Sequence, residues 1–276
     1  MLTQEYSCPK EFLSQVKQFL IEKEDINGLP LGIILGLLAM PPAQQPFLAT
    51  VTDAEQIRLV MVMTTGHLVL ASQGPDWQRA VAAAASYLSR RNLPLSGVIG
   101  PREPAELFAL MWRPRLPLQV EMEQRIYRLE VVSPVPLSPG LLRLADSADQ
   151  DLLSEWIQEF CREALTEISQ EQARQLAASG IDSKAFFLWE DGEAVSMIKK
   201  TRPTFNGIAL NLVFTPRRFR KKGYATSCVA SLCRQLLAEE YKFCCLYTDL
   251  ANPTSNKIYM DIGFRPVADS VSIKFT

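Results

Sequence analysis

Apolar positions along the chain change their period several times, and each change marks an element. Residues 9–23 place Phe12, Val16, Phe19 and Leu20 three and four apart, the spacing of one helical face. The run 25–40 follows as a second, more apolar helix, closed by Pro41–Pro42. Across 47–71 the pattern turns to three strand-like stretches, broken at Asp53–Ala54 and Thr65–Gly66. A helix capped by Asp76 runs to about Arg91 and carries alanine at each of positions 82–85. A strand near Leu95–Ile99, a helix over 103–112 and a strand from Gln119 to Val132 close this half.

Residues 133–140 read Ser-Pro-Val-Pro-Leu-Ser-Pro-Gly, which allows neither a helix nor a central strand. The domain boundary is therefore expected at a Pro-rich linker, 134–140, between a unit over 1–133 and another over 141–276. The second unit predicts a short strand at Leu141–Leu144 and helices at about 148–163 and 170–179. Two strands joined through Asp191–Gly192, a hairpin signal, and a third over 207–213 follow. A helix to Glu240, a strand over 243–248, a short helix over 254–261 and a strand over 269–275 complete the chain. Helix–strand–helix over 76–112 is mirrored over 222–261, which predicts two copies of one α/β unit.

Composition narrows the function. Hydrophobic residues make 47% and charged residues 21%, an ordinary globular mix. A net charge of −1 supplies no overall field for nucleic acid or an anionic membrane. The longest apolar run, Leu29–Met40, is too short for a bilayer core of about 30 Å, so no membrane association is expected. The N-terminus, with Glu5 and no basic-then-apolar order, does not read as a signal peptide. The six cysteines form no Cys-x-x-Cys pair and His67 is the sole histidine, which argues against a structural zinc site or a Ser/His/Asp triad. Cys228, Cys233, Cys244 and Cys245 fall in apolar stretches and read as reduced core thiols of a cytoplasmic protein.

Two segments carry chemistry. In the first, Val213 to Ala225, a strand end runs into a helix start, and five of the six residues from Arg217 to Lys222 are basic. Gly223 lets a backbone approach a ligand closely, and a helix N-terminus suits a phosphate. A solvated basic loop would read the same way taken alone. The second segment, about thirty residues on, spans Asn252 to Phe264. It offers Asn252 and Ser255 as caps, Asn256 and Tyr259 on one helical face, and Gly263 as a terminator.

Together, Val213, Thr215, Arg220, Gly223 and Ala225, then Asn252, Ser255, Asn256, Tyr259, Gly263 and Phe264, resemble the paired motifs of the GNAT superfamily of acetyl-coenzyme A-dependent N-acetyltransferases. The resemblance covers about 141–276. It implies a mixed, mostly antiparallel α/β (α+β) sheet flanked by helices, with strands 207–213 and 243–248 splayed around the pantetheine arm. It further implies that main chain at Val213, Phe214 and Thr215 meets the arm. The N–H groups of Arg220, Lys221, Lys222, Gly223, Tyr224, Ala225 and Thr226 would hold the diphosphate. Asn252, Ser255 and Asn256 would support the coenzyme, and Tyr259 would protonate the departing thiolate. The acceptor would be a primary amine of a small molecule or peptide, attacking directly and without a metal.

Asn211 stands where the family often has a glutamate base; Glu159, Glu190 and Glu193 are substitutes that no motif position singles out, and a surface ion pair is the ordinary role of each. Residues 1–133 resemble the same fold more weakly. They have Gln73-Gly74-Pro75-Asp76 where the basic loop should be, and read as a tandem copy that lacks the coenzyme. Two other readings stay open: a non-catalytic acyl-coenzyme A sensor, and an aminoacyl-tRNA-dependent transferase using the basic loop, although nucleic acid is not the expected partner.

Overall fold

The computed structural model describes residues 1–40, 44–164 and 167–275, so the stop expected at Pro41–Pro42 lies outside the described residues. The chain begins β1 (Leu2–Tyr6), α1 (Pro9–Ile21), α2 (Gly28–Ala39), β2 (Phe47–Asp53), β3 (Gln56–Met63) and β4 (His67–Ser72). It continues α3 (Trp77–Arg91), β5 (Gly97–Pro101), α4 (Arg102–Trp112) and β6 (Gln119–Leu129). The order then repeats as β7 (Leu141–Leu144), α5 (Gln150–Glu163), α6 (Gln170–Asp182), β8 (Phe186–Asp191), β9 (Glu193–Thr201) and β10 (Gly207–Phe214). It ends α7 (Tyr224–Glu239), β11 (Phe243–Asp249), α8 (Pro253–Ile262) and β12 (Arg265–Lys274). The repeat expected from the sequence thus extends beyond three elements to ten.

The apolar face of α1 is the expected one, with Phe12, Val16, Phe19 and Leu20 buried. β1 was not expected. Its sequence, Leu-Thr-Gln-Glu-Tyr, is short and polar, yet it pairs with β2 from Leu2↔Thr52 to Tyr6↔Leu48 at the sheet edge. The Asp191–Gly192 hairpin forms, with Gly192 at φ +73° and Asp191 opposite Glu193. Asp76 does precede α3, but at φ 60° its side chain makes no cap bond and lies 3.8 Å from Arg79 instead. That left-handed backbone directs the carboxylate away from the helix N–H groups.

The strands form one mixed sheet in the order β1-β2-β3-β4-β5-β12-β6-β11-β10-β9-β8-β7, parallel only at β4/β5 and β10/β11. The strand expected to close the first half does not pair there. β6 lies between β11 and β12, and β12 fills the edge of β5. Burial explains the exchange. Tyr127 and Leu129 of β6 pack into the core under α7 and α8, while Val271 and Ile273 of β12 pack into the core under α3 and α4. Each half completes the other's hydrophobic face.

On the opposite face α1 and α2 cover the first half and α5 and α6 the second. The helix α2 also reaches across: a Cβ on Gly28 would stand 4.0 Å from Cys245 Sγ. Residues 134–140 are held down. Trp189 Nε1 donates to the Pro139 carbonyl at 2.9 Å, and Val135 packs on the second core. All six thiols are free, and Cys228, Cys233, Cys244 and Cys245 are buried. Among the described residues no helix is long and apolar enough to cross a membrane.

Candidate active site

The site starts where two parallel strands part. β10 and β11 pair from Gly207↔Phe243 to Leu210↔Leu246 and no further. Beyond that point a bulge between Asn211 and Phe214 turns β10 toward β9, while β11 follows β6 as far as Asp249↔Gln124. Leu212 sits at φ +48°, and its N–H donates to Asn211 Oδ1 at 2.7 Å. The result is a fork with Val213 and Thr215 on one prong. Phe214 itself is buried with its ring 6.3 Å from that of Trp156, so its side chain is core.

The loop that leaves this prong is braced from within. Arg220 donates through Nε to the Thr215 carbonyl at 2.8 Å and through its guanidinium to both Glu163 oxygens at 2.8 and 2.7 Å. Arg217 lies 3.5 Å from Glu163 and Arg218 3.6 Å from Glu193. Three of the five basic side chains are therefore paired within the protein, and Lys221 and Lys222 remain as exposed charges. Thr215 Oγ1 shares a 2.9 Å hydrogen bond with Ser196.

Positive φ at Lys221 (+63°) and Gly223 (+79°) then turns the chain into α7. Among the described residues, the main-chain N–H groups of Lys221, Lys222, Gly223, Tyr224, Ala225 and Thr226 donate to no protein acceptor. Such a run of open donors at the positive end of a sixteen-residue helix is an anion cradle. The linker supports it: Ser138 Oγ donates to the Lys222 carbonyl at 2.6 Å, and its N–H donates to Ser227 Oγ at 2.8 Å. A Cβ at position 223 would stand 2.7 Å from Ser138 Oγ, a second reason for glycine. Tyr224 contributes its N–H only, since its hydroxyl donates to Asp191 at 2.5 Å, which holds the phenol above its usual range.

On the other prong Asn252 caps α8 as expected, accepting from Ser255 N–H at 3.1 Å. Asn256 donates to the carbonyls of Asp249 (2.9 Å) and Asn252 (2.7 Å) and accepts from Tyr127 at 3.0 Å. The side chains of Asn252 and Asn256 thus fasten α8 to β11 and β6. One turn on, Tyr259 is buried, its ring 5.8 Å from Phe264 in an edge-on contact. Its hydroxyl makes no hydrogen bond within the described residues, and burial holds the phenol well above its ordinary range.

Asn211 is exposed, and the three candidate acids divide. Glu190 binds Arg143, Glu193 faces Arg218, and Glu159, half-buried on α5, has no partner among the described residues. Ser138, Glu163 and Ser196 escaped sequence reasoning, and Asp191 entered it only as a turn residue, since a loop serine or a surface acid carries no mark of what it braces. The first half shows the contrast. Its β4–α3 connection is only Gln73–Asp76, and Asp76, at φ 60°, stands at the head of α3 as Gly223 stands at the head of α7. Among the described residues no group of His, Cys, Asp or Glu is placed to hold a metal.

The ten-element order repeated in one continuous sheet, with forked parallel strands and an anion cradle on the following helix in the second copy, defines a tandem GNAT fold. Residues 190–272 match the family described as FR47-like protein. A GNAT-family acetyltransferase from Colwellia psychrerythraea aligns over 100% of both chains at 13% identity with a TM-score of 0.62. A GCN5-related N-acetyltransferase from Sphaerobacter thermophilus aligns over 99% of this chain and 95% of its own at 11% identity and 0.64. A tandem GNAT protein from the clavulanic acid biosynthesis pathway aligns over 99% and 98% at 12% identity and 0.58. Comparison with curated proteins gave no match. The GNAT resemblance read in the sequence is borne out, and the fold is one that serves acyl transfer.

Proposed function

We propose that this chain is an N-acetyltransferase that moves an acetyl group from acetyl-coenzyme A to a primary amine, with the coenzyme on its second half alone. The observation that carries the reading is the run of six open N–H groups from Lys221 to Thr226 beside the fork. They fit a diphosphate in number and charge, and Lys221 and Lys222 add attraction. The Thr215 carbonyl is taken by Arg220, which leaves the Thr215 N–H for the pantetheine arm. Bound acetyl-coenzyme A supplies an acyl thioester activated toward direct attack. Tyr259 holds a proton on a hydroxyl that no protein group claims, which supports its role as donor to the leaving sulfur. The buried free thiols fit a reducing, cytoplasmic setting.

One observation favours a second reading, an acyl-coenzyme A sensor: Asn211 occupies the place of the usual base. Coenzyme release with a panel of amines separates the two, since a sensor binds and releases nothing. The internal pairing of Arg217, Arg218 and Arg220 weighs against a nucleic-acid partner.

Ala225→Glu tests the cradle. An acidic side chain in a helix's first turn favours the helix, so the fold should hold. Beside a diphosphate the same charge should weaken acetyl-coenzyme A binding at least about tenfold, or about 1.4 kcal/mol. Unchanged affinity by calorimetry would remove residues 221–226 from the coenzyme site.

A further inference from the structure

The cradle and Tyr259 belong to the α7–α8 side of the sheet, so an amine reaches the fork from the opposite face. That face presents Ala209 and Cys245, which share one small cluster, and beyond them Asn211 on β10 and Tyr247 on β11. Tyr247 is the first residue of β11 past the last β10 pair. Both halves build the surroundings. The Tyr247 hydroxyl donates to the Ile26 carbonyl at 3.4 Å, and a Cβ on Gly32 of α2 would stand 2.7 Å from Arg202 Cβ. Only glycine at position 32 lets the two elements close to this distance.

Arg202, in the β9–β10 loop, lays its guanidinium 5.8 Å from the Tyr247 ring centre. Its Nε is buried with no hydrogen-bond partner, and the side chain forms no ion pair among the described residues. The acids of the same seam are committed elsewhere. Glu24 accepts from the Asn206 N–H at 2.8 Å and from its side-chain amide at 2.7 Å, and Asp25 pairs with Arg128 at 3.1 Å. Tyr247 offers no countercharge, because burial pushes its phenol up and keeps it neutral. A second unpaired cation shares the sheet: Lys199 stands directly opposite Asn211, its Nζ 5.1 Å from the Phe186 ring, with burial drawing its amine below the usual lysine range.

Arg202 is half-buried: its Nε is shut from water without a partner, which costs free energy, while the rest of the guanidinium stays open to a ligand. A planar guanidinium with open donors matches a carboxylate in two-point geometry. We infer that the acceptor amine carries a carboxylate, which Arg202 binds in the seam between α2 and β9–β11 while Lys199 adds positive charge beside Asn211. This assignment of the substrate class rests on the acetyltransferase reading. It makes polyamines poor acceptors, because two resident cations would face their charges. It also gives the first half a task, since α2 forms the wall against which Arg202 lies.

The test is a matched panel of free α- and ω-amino acids, their carboxamides and one polyamine, assayed by coenzyme A release with wild type, Arg202→Gln and Arg202→Lys. Wild type should prefer acids over their amides at least about tenfold in kcat/KM. Arg202→Gln should bring that ratio close to one, mainly through KM, and Arg202→Lys should fall between. Calorimetry of acetyl-coenzyme A on the same proteins separates the two levels of the argument. No coenzyme binding at all would sink the acetyltransferase reading. Binding with amides or the polyamine serving as well as acids would overturn the carboxylate assignment alone, whereas binding with no amine acetylated would sink the acetyltransferase reading in favour of the sensor. An acid-to-amide ratio unchanged in Arg202→Gln would do the same. If that variant melts early, the wild-type ratio and Arg202→Lys still decide.

Discussion

Tyr259→Phe separates stability from chemistry because the structure implies a loss in the rate and almost none in the fold. The substitution keeps a ring that packs edge-on against Phe264 and removes a hydroxyl with no hydrogen bond to the protein. A tyrosine hydroxyl with a protein partner would cost about 1 kcal/mol to delete. Deleting one that no protein group holds should cost little. At about 2–4 °C per kcal/mol for a chain of this size, the melting temperature should stay within a degree or two. The rate should respond, with kcat falling about a hundredfold, or about 2.7 kcal/mol in the barrier, and KM for acetyl-coenzyme A little changed.

The pH dependence has a definite sign as well. Burial raises the folded phenol above the unfolded value near 10, so it stays protonated at neutral pH and does not set the alkaline limb of kcat near neutrality. The stability tied to this shift is full below about pH 10 and is lost as pH rises further, so the variant should lose less there than wild type. Scanning calorimetry from pH 7 to 10.5 and single-turnover acetyl transfer measure both halves. A variant destabilised by more than about 1 kcal/mol, or one keeping most of its chemical rate, would refute the assignment.

The first half yields two further expectations. Asp76→Gly should stabilise the chain by about 0.5–1 kcal/mol by relieving the φ 60° backbone, and titration should still give one coenzyme per chain; a second site would overturn the reading of 1–133 as coenzyme-free. Residues 1–133 and 134–276 expressed apart should not give well-dispersed NMR spectra, whereas co-expression should restore them. The first piece alone forfeits the burial of Val271 and Ile273, about 3–6 kcal/mol against a typical total of 5–15. A folded, coenzyme-binding 134–276 would contradict this.

The sequence was informative wherever the cause of structure is local. The spacing of Phe12, Val16, Phe19 and Leu20, the turn at Asp191–Gly192 and the cap at Asn252 each act over a few residues, and each forms. The strand exchange was hidden, because alternation at Tyr127 and Leu129 says that one face is buried and not beneath which helices. Five neighbouring basic residues look alike in sequence, yet Glu163 and Glu193 engage three of them from distant elements. Arg202 was equally silent, because what distinguishes it is the absence of a partner in three dimensions. Asp76 was read by residue type as a cap, and only its φ revealed otherwise.

The crossing of β6 and β12 bears on how such a chain can change over evolutionary time. When a gene doubles, the spare copy is normally free to decay until it is lost. Here a deletion that removed residues 1–133 would also take the strand on which β11 rests and the partner of β12. On the proposed reading the first copy can lose its ligand loop residue by residue, but it cannot be shed itself. Substitutions that loosen Tyr127 or Leu129 strike the other half's core. If the first half is coenzyme-free as proposed, the pair behaves under selection as one gene with a single tolerance for damage, which keeps that half beside the one that binds.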